Sequence, residues 1–172
     1  MSFLDLAKTR YSSRKYEERA VETDKLAAIL EAGRIAPTAA NKQPCVFLVL
    51  NDKTSLEKLS KACRSHGAPL AIVVCADKNA VWVRSIDNVN TVEVDSTIAA
   101  DHMMLCAQDL GLSSCWICHF NPAILREEFK IPENLVPVNI LVIGYGADNP
   151  KSPDRHNETR KPLASIVKYS TF

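Results

Sequence analysis

The sequence lacks most of the signatures that assign a function at a glance. It carries no charge excess: 21 Lys and Arg stand against 20 Asp and Glu in 172 residues, a net charge of +1. No broad field therefore invites nucleic acid or an anionic membrane surface. No apolar run approaches the ~20 residues that span a bilayer. The opening, Met1-Ser2-Phe3-Leu4-Asp5-Leu6, lacks both a basic leader and a sustained apolar stretch, so a cytoplasmic location is expected rather than export. There is no P-loop, no G-x-G-x-x-G and no G-x-S-x-G elbow. His66, His102, His119 and His156 show no ligand spacing, so no metal is expected. What remains is a chain with 47% hydrophobic residues and the length of a single globular domain, residues 1–172.

Cysteine is present, but without an export signal six cysteines read as thiols rather than as a disulfide frame. Cys45, Cys75, Cys106 and Cys115 lie within apolar runs, as small core residues do. Cys115-Trp116-Ile117-Cys118-His119 matches both the C-x-x-C-H pattern of c-type haem and the C-x-x-C of a redox dithiol. Haem attachment goes with export. A redox dithiol wants its first cysteine at a helix N-terminus, where the dipole lowers the thiol pKa. Here the first cysteine sits in a strand-like run, where Cys115 and Trp116 point to opposite sides. Neither chemistry is expected.

Periodicity yields an alternation of helices and strands. Helices are expected over residues 3–9, over 24–35 with Thr23 as cap, and from a Thr54-Ser55-Leu56-Glu57 capping box to Ala62. Residues 95–110 are apolar almost all round and predict a central buried helix closed by Gly111, with His102 hydrogen-bonded inside it. Asn121 and Pro122 open a helix to Phe129. Apolar runs at 46–50, 70–76, 114–117 and 138–145 predict buried strands, while 77–93 reads as a loop anchored by Val81, Trp82 and Val83. The pattern is α/β (α+β), a mixed sheet flanked by helices. After a polar stretch comes an apolar tail (Leu163, Ile166, Val167, Tyr169, Phe172) that needs a surface to bury against.

Two short segments carry the chemistry. Arg10-Tyr11-Ser12-Ser13-Arg14-Lys15-Tyr16 places two guanidinium groups and two hydroxyls close enough to fork onto a phosphate monoester. The alternative is a solvated charged loop in which Glu17 and Glu18 pair with the arginines. Ala36-Pro37-Thr38-Ala39-Ala40-Asn41-Lys42-Gln43-Pro44 is a turn-rich loop between an apolar helix and an apolar strand, where backbone groups can stay free for a ligand.

These segments, with Leu110-Gly111-Leu112-Ser113-Ser114-Cys115-Trp116-Ile117, Ile143-Gly144-Tyr145-Gly146-Ala147 and Arg160-Lys161-Pro162-Leu163, resemble in order and spacing the nitroreductase family of flavin oxidoreductases. The likeness runs from about Phe3 to the C-terminus. It implies an FMN phosphate held by Arg10, Ser12 and Arg14, with Arg160 and Lys161 closing over it. It places the flavin ring beside Pro37, Thr38 and Asn41, and beside the backbone of Cys115, Trp116 and Ile117, with Gly144 nearby. It further implies NADH or NADPH as reductant, nitroaromatics or quinones as oxidants in a ping-pong cycle, and no dedicated catalytic side chain. It implies a homodimer with flavin sites at the subunit interface, whose tail adds a strand to the partner's sheet. Reductive dehalogenation, flavin fragmentation and a flavin carrier without turnover are the alternatives on the same fold. The chain departs from the usual pattern at Thr38 (commonly serine), Cys45 (commonly tryptophan) and Ala40 (commonly glycine). The last matters because a Cβ resists positive φ.

Overall fold

A computed structural model of the chain describes residues 1–171; Phe172, the final member of the apolar tail, lies outside the described residues. The elements run α1 (Phe3–Thr9), α2 (Thr23–Ile35), β1 (Cys45–Leu50), α3 (Lys53–Ala62), β2 (Leu70–Asp77), α4 (Val92–Asp109), β3 (Ser113–Ile117), α5 (Pro122–Phe129) and β4 (Leu135–Gly144), followed by the single turns α6 (His156–Thr159) and α7 (Leu163–Ile166). The strands form one sheet in the order β1-β2-β4-β3, and each neighbouring pair is antiparallel. The parallel element of the mixed sheet shrinks to one bridge, Ser12 against Ser114.

Strand alternation sorts the apolar residues onto two faces. Val73, Cys75, Ile140, Val142, Cys115 and Ile117 join Leu59 of α3 and Leu125 of α5 in one core. Ile72, Val74, Leu141 and Ile143 join Ile29 of α2 and Met103 of α4 in the other. Because both faces are covered, β2 is buried along nearly its whole length, which is why it reads as a continuous apolar run. Cys75 and Cys115 are core residues as expected, and so is Cys63, whereas Cys45 and Cys106 are only half-buried.

Several boundaries shift for physical reasons. The cap of α3 is Asp52, whose carboxylate accepts from the Ser55 backbone N–H at 3.0 Å, and not the Thr54–Glu57 pair. Helix α2 starts after Glu22 without a side-chain cap, so Thr23 lies inside it. Strand β4 begins at Leu135 and bulges where Val74 faces Asn139 and Cys75 faces Pro137. Pro137 has no N–H to give the ladder, so an extra residue is accommodated there. Helix α4 begins at Val92 and is buried along one stripe, including Val92, Ser96, Ala99, Met103 and Ala107, rather than all round. Val94 is exposed and Ile98, His102 and Leu105 are half-buried; His102 Nδ1 lies 3.0 Å from the Ile98 carbonyl oxygen. Trp82 and Val83 do not anchor their loop; they are 36% and 47% exposed.

Candidate functional site

The chain leaves α1 at Arg10 and lies along β3. The Ser13 backbone N–H donates to the Ser114 carbonyl at 3.0 Å, Glu17 N–H to Tyr145 O at 2.9 Å, and Ala147 N–H to Lys15 O at 2.9 Å. Tyr16 is buried and donates to the Ser13 carbonyl at 3.1 Å. Asp148 reaches in from beyond β4 and accepts from Ser13 Oγ at 2.6 Å, Tyr11 OH at 2.9 Å and the Arg14 N–H at 3.0 Å.

This bend forms one wall of a cavity of about 370 Å³ that gathers Arg10, Ser12, Arg14, Lys151, Arg155 and Arg160. Arg155 donates to the Arg10 carbonyl at 2.6 Å and to Lys8 O at 3.0 Å. No ion pair among the described residues involves Arg10, Arg14, Arg155 or Arg160; Glu17 and Glu18 do not neutralise them. Burial holds the Arg10 guanidinium below its usual pKa, and the Arg155 and Arg160 cations push the same way against Asp101. An unpaired cation cluster of this kind is complementary to a phosphate monoester, which arginine forks can grip through two oxygens at once.

Strand β3 runs from this cluster. Cys115 joins one core and Trp116 the other, so the two side chains do point to opposite sides. Burial pushes the Cys115 thiol up, with Arg14 and Arg10 acting in the other direction. Cys118 lies past the strand end, exposed, and all six cysteines are free. A raised thiol pKa opposes the thiolate that a dithiol mechanism requires.

Beyond Arg14 lies a larger cavity, about 1010 Å³, lined by Arg64, His66, His119 and Asn121 among others. His66 has a left-handed backbone (φ +57°) and a buried Nδ1 without a partner. Burial lowers its pKa, and Arg64 and Arg14 add to the effect. Arg14 lines the smaller cavity and lies within electrostatic reach of His66 in the larger one.

The 37–44 loop sits elsewhere. Ala39–Asn41 forms one 3-10 turn, with Ala40 at φ +49°, Asn41 at +52° and Gln43 at +51°. The turn is tied down by Ala39 N–H donating to Asp95 Oδ1 at 2.9 Å, and by Gln43 N–H donating to Thr38 Oγ1 at 3.0 Å. Asp95 is fully buried and also accepts from Thr91 Oγ1 at 2.8 Å. Pro37 and Asn41 are exposed, and Thr38 lines a separate groove of about 620 Å³ between α2 and β1.

A family model described as the Nitroreductase family matches residues 7–69 and 61–145. The chain belongs to the nitroreductase family. A solved nitroreductase family protein of Clostridium difficile is 51% identical, with each chain covered in full and a TM-score of 0.98. A structure named FMN-dependent nitroreductase, also from Clostridium difficile, is 31% identical over 97% of this chain and 98% of its own, with a TM-score of 0.80. A Bacillus subtilis protein named FMN reductase [NAD(P)H] is 28% identical over 86% of this chain and 70% of its own length.

In this nitroreductase family member, the structure gathers Arg10, Ser12, Arg14 and Arg160 at one cavity and sets β3, with Cys115, Trp116 and Ile117, beside the bend that bears the first three. It does not bring Lys161, which is exposed and lines none of the cavities described above. Gly144 is buried, and a Cβ there would come within 2.6 Å of Pro69, so its place is a close approach between chain segments. Pro37, Thr38 and Asn41 are absent from the arginine cavity. Arg155 and Asp148 were missed by sequence reasoning. Both lie in or beside a polar stretch without periodicity, and Gly146 just before Asp148 is the only available signal.

Proposed function

We propose that the protein is an FMN-dependent oxidoreductase that passes electrons from NADH or NADPH to a small oxidant, a nitroaromatic or quinone, by a ping-pong mechanism in the cytoplasm. The observation that carries this reading is the cluster of unpaired arginines that Arg10 and Arg14, on a bend lying along β3, form with Arg155 and Arg160. The names of the Clostridium difficile and Bacillus subtilis relatives support FMN as cofactor and NAD(P)H as reductant. When bound, FMN supplies the electron-transfer chemistry, so the protein's tasks are binding, orientation and electrostatics.

Arg10, Arg14 and Arg160 grip the phosphate, with the Ser12 hydroxyl beside them. The backbone of residues 115–117 then flanks the ring, and the cavity lined by Arg64 and His66 leaves space for nicotinamide or oxidant in turn. An unpaired cation such as Arg64 stabilises negative charge developing nearby. No side chain is assigned proton transfer, since an open cavity admits water.

The protein acts as a homodimer in this reading, with flavin sites at the subunit interface. Two features support that arrangement. The outer face of α4 exposes Val94, and the tail exposes Leu163, Ile166 and Tyr169 to the extent of 73%, 63% and 87%. Groups this apolar are normally buried against another surface. Removing residues 165–172 is expected to lower the melting temperature and dissociate the dimer in analytical ultracentrifugation; an unaltered dimer overturns the wrapped tail.

The primary test is an absorption spectrum before and after anaerobic NADH addition. Flavin bands that bleach establish cofactor and reductant together. A protein that stays colourless after incubation with FMN overturns the proposal.

A further inference from the structure

We infer that Asp148 is a positioning residue for the phosphate end of the site, holding the 10–14 bend so that its arginine forks stay free for the ligand. This rests on the flavin reading above and adds to it a residue that touches neither phosphate nor ring.

A carboxylate placed among arginines ordinarily pairs with one of them. Asp148 does not. Its Oδ1 accepts from Ser13 Oγ and Tyr11 OH at 2.6 and 2.9 Å, and its Oδ2 accepts from the backbone N–H of Arg14 at 3.0 Å. The acid is thus satisfied by hydroxyls and an amide, while the Arg14 side chain makes only a 3.5 Å contact with the Ser12 carbonyl. Three donors of the bend, from Tyr11, Ser13 and Arg14, are organised from one remote point, while Arg10 and Arg14 line the cavity. Ser13 is fully buried and lies outside the cavity lining, so its bond to Asp148 serves the bend itself.

The approach of Asp148 is itself built. Gly146, two residues earlier, passes so close to Ser113 that a Cβ would sit 2.5 Å from its Oγ, and the Ala147 N–H is tied to the Lys15 carbonyl at 2.9 Å. Burial alone would raise the Asp148 pKa, but the bonds from Ser13, the Arg14 N–H and Tyr11 outweigh it and lower it. Asp148 therefore stays an ionised pure acceptor at neutral pH.

The test compares FMN with riboflavin, which has the same ring and no phosphate. In the deflavinated full-length protein, Asp148→Asn keeps an oxygen for Ser13 and Tyr11 but turns an amide N–H₂ toward the Arg14 N–H, donor against donor. The FMN dissociation constant is expected to rise about tenfold, the effect of one lost hydrogen bond to a charged group. Riboflavin affinity should stay nearly unchanged, so the preference for FMN over riboflavin contracts. Equal weakening of both ligands, or an intact preference, overturns the inference. Arg10→Ala separates the two levels of the argument. If it leaves the preference intact, the phosphate reading itself fails; if it abolishes the preference while Asp148→Asn does not, only the positioning role falls. Should Asp148→Asn fail to fold by circular dichroism, Ser13→Ala removes the shortest of the three bonds without touching charge. It must shift the preference in the same direction, and no shift overturns the role of Asp148.

Discussion

The 10–14 bend and the Ala39–Asn41 turn are the two segments expected to hold the cofactor, and they are built in opposite ways. The bend is stitched to its own chain, by Ser114 on one side and Asp148 on the other, and its arginine cluster shares one cavity. The turn carries left-handed backbone at Ala40 and Asn41, exposes Asn41, and hangs on one buried acceptor, Asp95. Both lie beside α4: Arg10 feels the charge of Asp101, while Ala39 is tied to Asp95. Six residues of helix separate those acids by about 9 Å and roughly 240° around the axis. The chain therefore gathers its arginine cluster at one end of α4 and exposes Asn41 of the turn at another.

The sharpest way to break this contrast is Asp95→Ala, which strands the Ala39 N–H beside a new void and leaves the Thr91 hydroxyl only its 3.3 Å bond to the Trp82 carbonyl. A loss of about 3 kcal/mol is expected, or roughly 6–12 °C in the melting temperature of the apo-protein. A change within error would mean that the turn holds itself. Arg10→Ala acts on the other segment: FMN affinity should fall by about 1.5–3 kcal/mol, roughly 10- to 150-fold, while apo-protein melting barely moves. Unchanged flavin retention removes the phosphate role. Ala40→Gly sharpens the comparison from the strained side. Relief of the Cβ penalty, less the extra freedom of glycine when unfolded, should stabilise by about 0.5–1 kcal/mol in a denaturant titration. Destabilisation would show that the turn bears no strain. The smallest effect is expected from the Cys115→Ser, Cys118→Ser double variant, whose NADH oxidation rate should match that of the parent. Loss of the rate with flavin still bound would revive a dithiol role.

Features set by near neighbours were legible in advance. Helix α5 runs from Pro122 to Phe129 because the Asn121 side chain accepts from the Ala123 and Ile124 N–H groups at 3.0 and 3.2 Å, a signal written within four residues. Gly111 takes its left-handed place after α4, and the alternation of Cys115 and Trp116 follows from strand geometry. The misses share a different cause. Inside α4, Asp95 takes the Ala39 N–H from the 37–44 loop, a partner distant in sequence, and β4 starts early with a bulge at Pro137. Trp82 looks like an anchor by composition, yet the fold leaves it exposed.

By itself, the sequence determined the helix-flanked sheet, the two apolar faces and the residue types able to grip a phosphate, since periodicity, caps and side-chain chemistry act over a few residues. Only the tertiary structure decided which charges meet. Arg155 reaches the Arg10 carbonyl across 145 residues of chain, and Asp148 reaches Ser13 across 135. Such contacts depend on the path of the sheet order β1-β2-β4-β3, which no local pattern encodes. The same path sends the second motif away from the first, because the two meet α4 at different heights and on different sides.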